Sequence, residues 1–418
     1  MGGMAAASLL PRIESFDSWS VRISGSQATS AVLSGTRTEE EYWSLVKRQF
    51  ILEDDLILMN AANLCPSPFS VMETVFDLTR NIDSDASMQN RSKFSDLKRK
   101  TRALLADYLG AGQEEIVITR NTSEGNNIVI GGLTLKPDDE IVIWDQNHPT
   151  NNLAWNVGSR RHGYKVIKVA TPPHPHNSED LLRPFLAALT RQTKVIAFSH
   201  VSNISGVALP VKILCEEAAN RNIMTLVDGA QTFGAEALNL HDMGCDFFTG
   251  SAHKWFMGPK EAGILYVRKD RIGELWPLIV GIGWQDDKED ASPRFEALGQ
   301  RDDATIAATG TTVEFHNAIG KERIESRIRM LATELKKRIQ TEIPTTRFHT
   351  PMEPELSSGV VVFAPAGVDL NRASRRLYEE FRIGCAVMRG DFAGIRLSPQ
   401  IYNTMEEVER AISAVASL

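Results

Sequence analysis

The sequence predicts an α/β protein: a large unit built on a mostly parallel seven-stranded sheet wrapped by helices, followed by a smaller α+β unit. Three observations predict it. Seven short, continuous apolar runs recur between residues 115 and 268. Helical segments separate most of them, and strands buried on both faces by crossover helices read as unbroken apolar runs rather than as alternation. Beyond about residue 311 the texture changes to a long charged amphipathic helix and two isolated strand patterns.

The elements follow in order. The opening "MGGMAAASLLPRIESF" carries a small-residue and apolar run, Met4 to Leu10, without the basic start of a secretion signal. We read 1–38 as a flexible leader or a signal remnant. This places the protein in the cytoplasm, or in the periplasm if the run is a truncated signal. "TEEEYWSLVKRQF" is an amphipathic helix, and "LILMNAANLCPSP" is a short strand entering a Pro-rich turn. Both belong to an N-terminal segment, 39–74, expected to pack with the small unit. The large unit spans 75–310. A helix through "DLKRKTRALLADYLGA" ends at Gly110 or Gly112. Then come "EIVITR", "DEIVIWD", "YKVIKVA", "TKVIAFSH", "MTLVDGA", "CDFFTGS" and "AGILYVR", with "SEDLLRPFLAALT" and "VKILCEEAANRN" as the clearest intervening helices. "PPHPHNSED" is a loop by composition. The small unit, 311–418, holds "GKERIESRIRMLATELKKRIQ", "SSGVVVFAP" and "AGIRLSPQIYN".

Bulk properties narrow the function classes. Hydrophobic residues make up 42% and charged residues 24% of 418, ordinary for a globular protein. A net charge of −7 with no long run of either sign argues against nucleic acid or an anionic membrane as partner. No stretch is long and apolar enough to span a bilayer. Cys65, Cys215, Cys245 and Cys385 form no CxxC pair, so no zinc site or disulfide framework is read, and His174 and His176 lack a further ligand at metal spacing.

In open parallel sheets, ligands sit outside the carboxyl ends of the strands. Polar residues collect there: Asn121, Thr122 and Ser123, then His148, Asn203, Asp228 with Gln231, and Ser251, His253 and Lys254. Lys254 lies at the edge of the apolar patch Trp255–Phe256–Met257. Taken alone, such a lysine is ordinarily a surface residue. In a partly dry site it becomes a nucleophile toward carbonyls. Asp228 shifts the balance. It ends a strand with no other charge, and a buried carboxylate needs a partner; the bland reading is a turn or cap residue. A cationic pyridinium nitrogen, as in a lysine-bound pyridoxal phosphate, would serve. Thr122 and Ser123, at a helix start, suit its phosphate, although they could equally be a simple cap.

These residues resemble a known family. "SAHKWFMGP" is similar to the Ser-x-His-Lys motif of the class V aminotransferases, which include cysteine desulfurases, selenocysteine lyases and isopenicillin N epimerase. "VDGAQTFGA", "NTSEGNN", "QNHPTNNLAW", "HVSNISG" and "GIRLSPQIYNT" resemble its aspartate, phosphate-loop, histidine, asparagine and arginine motifs, in the family's order, from about 55 to 415. The resemblance implies a homodimer with active sites at the interface and pyridoxal 5'-phosphate as cofactor. It implies that Lys254 holds the cofactor as a Schiff base and moves the α-proton, that Asp228 pairs with the pyridine nitrogen, and that His148 stacks on the ring. Gln231 and Asn203 would bond the ring oxygen or substrate. Thr122, Ser123, Ser251 and His253 would hold the phosphate, and Arg396 and Asn63 the substrate. Gln300 stands where many relatives have a threonine that reaches the partner's phosphate.

Desulfurases of the family carry a nucleophilic cysteine just before the arginine motif. Here "MRGDFAGIRLSP" has none, and Cys385 precedes it too early. The expected activity is α-proton abstraction from an amino acid, as an epimerase, racemase or C–S β-lyase of the isopenicillin N epimerase-like branch, with transamination the alternative. A second acid, needed for epimerisation, is left open among Cys65, Tyr402 and water.

Overall fold

The computed structural model describes residues 38–418. The leader expected at 1–38 therefore lies outside the described residues except for Thr38, which caps the first described helix, Glu39–Lys47, through a reciprocal box with Glu41.

All seven apolar runs become strands of one sheet. With β1 at Ile57–Leu58, they are β2 (Ile116–Thr119), β3 (Glu140–Trp144), β4 (Lys165–Val169), β5 (Thr193–Ser199), β6 (Met224–Asp228), β7 (Phe247–Ser251) and β8 (Gly263–Val267). Their order is β2-β8-β7-β6-β5-β3-β4. Only β8 runs against the rest, antiparallel to both β2 and β7. β7-β6, β6-β5, β5-β3 and β3-β4 are parallel. One consequence positions the site: β2, β3, β5, β6 and β7 all end on the same edge.

The strands other than the edge strand β4 are dry on both faces because alternate residues feed different cores. Val142, Ile196, Val227, Phe248 and Ile264 face one cluster. Ile141, Ile143, Val195, Ala197, Leu226, Phe247 and Leu265 face the other. The helix Lys93–Leu109 stops where Gly110 takes a left-handed φ of 64° that other residues reach only with strain. The helix Asp303–Ile319 packs on Lys93–Leu109 and on Phe69–Ser84, and runs unbroken through residue 311, where the sequence changes texture.

The smaller C-terminal domain carries an antiparallel sheet. Its strands are β9 (Arg347–Phe348), β10 (Val361–Ala364), β12 (Ala386–Met388) and β13 (Gly394–Leu397), ordered β12-β13-β10-β9. β1 pairs in parallel with β11 (Ile383–Gly384). The chain then continues past β13: Ser398 N donates to the Met59 carbonyl at 2.7 Å, and Ala61 N donates to the Ser398 carbonyl at 3.0 Å. These bonds bring Asn60 beside Arg396. Among the described residues, no helix is long and apolar enough to cross a membrane.

Candidate active site

The site begins at the end of β6. Asp228 is 3% exposed and accepts three N–H groups. Asn126 Nδ2 donates to its Oδ2 at 2.9 Å, Asn151 Nδ2 to the same oxygen at 3.4 Å, and the Ala230 N–H to Oδ1 at 3.1 Å. Buried carboxylates persist when donors surround them. Asn126 can approach because Gly125 lets its helix sit on β7. A Cβ at Gly125 would lie 2.8 Å from the Thr249 methyl.

Lys254 follows β7 in a tight turn. Met257 N donates to the Lys254 carbonyl at 2.9 Å, and Met257 itself takes a left-handed φ of 56°. A buried non-glycine residue held there is locally strained and must be over-determined by its surroundings. The surroundings do so. Trp255 Nε1 donates to Gln231 Oε1 at 2.7 Å, and Gln400 Nε2 donates to the Trp255 carbonyl at 3.0 Å. His316 Nε2 meets the Phe256 carbonyl at 2.9 Å, while the Phe256 ring stacks between Phe233 and His316. The lysine thus stands on a rigid base.

Its electrostatics follow from its neighbours. Burial holds the Lys254 amine below the usual lysine range; the Asp228 carboxylate opposes this and the Arg396 guanidinium adds to it. His148 caps the helix Pro149–His162 through its ring, with Pro149 at the first turn. Its imidazole is held down by burial first and then by the Lys254 charge, with Asp228 opposing and Arg396 adding. His253 is pushed down to about 4 by burial, Lys254 and Lys260. Both rings are therefore neutral near pH 7.

Arg396, on β13, is 6% exposed. It donates through Nη1 to the Asn203 carbonyl at 2.9 Å and through Nη2 to Asn60 Oδ1 at 3.3 Å. Its buried Nε has no partner among the described residues. Burial brings its pKa down to about 10, with Cys385 opposing, so it stays cationic at neutral pH. A buried cation with a spare donor is complementary to a carboxylate.

The structure thus gathers Lys254, Asp228, His148 and Arg396 into one electrostatically coupled set, with Asn203 joined through its main chain. Thr122 and Ser251 also meet: Ser251 Oγ accepts the Thr122 N–H at 2.9 Å and lies 2.8 Å from Thr122 Oγ1, at the start of the helix Thr122–Gly132. The remaining residues have partners of their own. The Gln231 amide is braced at both ends, since its Nε2 also donates to the Ala62 carbonyl at 3.1 Å. Each end keeps one further hydrogen-bonding position. Ser123 lines a cleft with Asn121, Asn127, Leu278 and Ile279. Gln300 lines the next one with Arg120 and Arg301, and accepts from Arg91 Nη2 at 2.7 Å. Asn63 is exposed, and on that turn Asn60 Oδ1 accepts the hydrogen bond from Arg396.

Sequence reasoning missed Asn60, Asn126, Asn151 and Thr249. Their positions are suggestive, because Asn126 and Asn151 each stand about one helical turn beyond Ser123 and His148 and Thr249 lies on β7 itself, but their meeting at Asp228 has no local signal. Cys65 and Tyr402 are buried against each other, with Tyr402 Oη donating to Cys65 Sγ at 3.6 Å. Burial pushes the Cys65 thiol up to about 12 and the Tyr402 phenol higher still.

The described site fits pyridoxal phosphate. It offers an amine whose pKa burial lowers, a donor-surrounded carboxylate, hydroxyls at a helix start and an unsatisfied guanidinium N–H. Comparison with known proteins agrees. Residues 62–411 match the family model described as Aminotransferase class-V. The chain is 31% identical over 393 residues to isopenicillin N epimerase of Amycolatopsis lactamdurans, covering 90% of this chain and 98% of that one. It is 28% identical over 402 residues to a probable cysteine desulfurase of Methanothermobacter thermautotrophicus, covering 89% and 96%. Among solved structures, a C-DES mutant with glycine covalently linked to its PLP cofactor superposes with a TM-score of 0.82 at 21% identity, covering 89% of this chain and 99% of that one. The chain is an enzyme of the class V aminotransferase family, whose cofactor is pyridoxal phosphate.

Proposed function

We propose that this enzyme removes the α-proton of an amino-acid substrate, as an epimerase, racemase or C–S β-lyase of the isopenicillin N epimerase-like kind. The observation that supports this best is the single coupled set of Lys254, Asp228, His148 and Arg396. Lys254 is the residue that would hold the cofactor covalently, Asp228 would pair with its ring nitrogen and His148 would face its ring. Thr122, Ser123, Ser251 and His253 would hold its phosphate. When bound, pyridoxal phosphate supplies an electron sink for the pair left by a breaking Cα–H bond. Arg396 would bind the substrate carboxylate and so orient Cα. Lys254, held below the usual lysine range, is the base that takes the proton.

Two features weigh on the outcome. The stretch from Arg389 to Arg396 has no cysteine, and burial pushes the Cys385 thiol up to about 12, which disfavours a thiolate nucleophile of the desulfurase type. Cys65 and Tyr402 are bonded to one another, with pKa values raised by burial, so neither is poised as the second acid an epimerase needs; water is then the proton donor, or elimination replaces inversion. Incubation with L- and D-amino acids and cysteine derivatives in deuterated water tests this. Deuterium at Cα with inversion indicates epimerisation, and pyruvate with ammonia indicates β-elimination. Conversion of the cofactor to its amine form, without either, would replace this reading with transamination.

Pairing of two copies belongs to the same reading. Trp276, Leu278, Ile279, Val280 and Ile282 are exposed beside the clefts of Ser123 and Gln300. A contiguous exposed apolar segment of this kind suits a subunit interface, with Gln300 reaching toward the partner's phosphate site. Sedimentation at micromolar concentration should give twice the chain mass, and a monomer would reject the pairing.

A further inference from the structure

Asp228 owes its shortest side-chain hydrogen bond to Asn126, a residue of the "NTSEGNN" stretch to which the resemblance assigns no role. Asn126 lies in the first turns of the helix Thr122–Gly132 and is 3% exposed. Its Nδ2 donates to Asp228 Oδ2 at 2.9 Å. Its Oδ1 accepts from Thr249 Oγ1 at 2.8 Å, and Thr249 is fully buried on β7 beside Asp228. An amide can present either its oxygen or its nitrogen to a neighbour. A carboxylate accepts and does not donate, so only the nitrogen can face Asp228, and the Thr249 hydroxyl anchors the amide from the other side by donating to the oxygen left there. The second donor to the same oxygen, Asn151 Nδ2, is longer at 3.4 Å, and its own Oδ1 is buried with no partner among the described residues. Asn126 is therefore the better-anchored of the two amides.

We infer that Asn126, oriented by Thr249, is a positioning residue that keeps Asp228 in its acceptor-only form and aimed for a cationic ring nitrogen. The inference rests on the reading that Asp228 pairs with the cofactor's ring. The chemistry is one of hydrogen-bond polarity. Replacing the amide by a carboxyl of the same shape sets two acceptors at about 3 Å, and such a pair must share a proton. The shared proton occupies the Asp228 oxygen that Asn126 now satisfies and weakens its hold on a cation.

Three variants of the full-length protein test this: Asn126→Asp, Thr249→Val, and Thr249→Ser as the conservative replacement that keeps the hydroxyl. Each is titrated with pyridoxal phosphate, following the visible absorption of the bound cofactor and the pH midpoint of that band. Thermal unfolding of the apoprotein is recorded in parallel. Asn126→Asp should bind the cofactor about 10- to 100-fold more weakly, the range of a hydrogen bond to a charged group, and shift the band's pH midpoint. Thr249→Val should move both readouts in the same direction by a smaller amount, and Thr249→Ser should restore them. A loss of thermal stability with unchanged affinity and midpoint in the variants that remain folded would make Asn126 merely structural and overturn the inference. Wild-type protein that binds no pyridoxal phosphate would overturn the underlying reading of Asp228 instead.

Discussion

Arg396 donates from Nη1 to the main-chain carbonyl of Asn203 at 2.9 Å, which joins the four-stranded sheet to the loop beyond β5. The bond aims the guanidinium across the carboxyl edge of the large sheet. It also leaves the buried Nε unpaired among the described residues. Replacement of Arg396 by lysine keeps the charge and loses the planar fork. We predict a rise in the substrate KM of about 10- to 100-fold, the worth of one charge-assisted hydrogen bond, with cofactor affinity within about twofold of wild type by the same reasoning that Arg396 binds substrate alone. Steady-state kinetics beside a cofactor titration separates the two. An unchanged KM would remove Arg396 from substrate binding.

Cys385 sits between β11 and β12, part-buried, with its thiol held up at about 12. Cys385→Ser should leave turnover of any accepted substrate within about twofold of wild type, since a protonated thiol is no nucleophile. Mass spectrometry should find no persulfide on this residue during turnover. A persulfide there, or loss of activity in the serine variant, would revive sulfur-transfer chemistry.

The base of the lysine turn carries a pH dependence. His316 is buried, bonds Tyr108 Oη at 3.0 Å and the Phe256 carbonyl at 2.9 Å, and is held by burial at about 4. An unfolded histidine titrates near ~6.5. Between these values the unfolded chain binds more protons, so stability rises with pH and is lost as pH falls toward 4. His200, also held near 4 by burial, acts in the same direction. Urea unfolding at pH 5 and pH 7 should therefore show lower stability at pH 5. His316→Gln should flatten part of that slope while costing about 1–3 kcal/mol at pH 7 through the lost hydrogen bonds. An unaltered slope would assign the titration to other groups.

Glu236 has the opposite sign. It lies on the loop that follows Asp228, accepts from Arg329 Nη2 at 2.6 Å, and is also bonded by the Ser358 hydroxyl. Burial raises its carboxyl to about 7 against the pull of Arg329, and the nearby Glu325 carboxylate raises it further. A folded value above the unfolded one gives stability that is complete below the unfolded carboxylate pKa and lost as pH rises through 7. Removing one of two carboxylates that share Arg329 should help most where both would ionise. Glu236→Gln should thus gain about 1 kcal/mol relative to wild type at pH 8 and little at pH 5. A loss at pH 8 would mean that the Arg329 pair outweighs the burial of the charge.

The sequence made the architecture readable because six of the seven apolar runs are strands dry on both faces, and their shortness and β-branched content mark them as strands. It also pointed to Asp228 and Lys254, since an isolated charge at the end of an apolar strand has to be explained. What stayed hidden was side-chain hydrogen bonding across distant segments. Asn126, Asn151 and Thr249 converge on Asp228 from two helices and a neighbouring strand, and no local pattern announces that meeting. Asn60 meets Arg396 because its turn is set by the pairing of residues 59–61 with Ser398, a contact more than three hundred positions away in the chain. The bonds of Gln231 to Trp255 and Ala62 are hidden for the same reason: they exist only in the folded chain.

Borohydride reduction of the purified protein with pyridoxal phosphate, followed by peptide mapping, tests the central claim most directly. The account predicts one reduced phosphopyridoxyl adduct per chain, on Lys254, and none in the Lys254→Ala variant. An adduct on another lysine, or an undiminished yield in that variant, would contradict it.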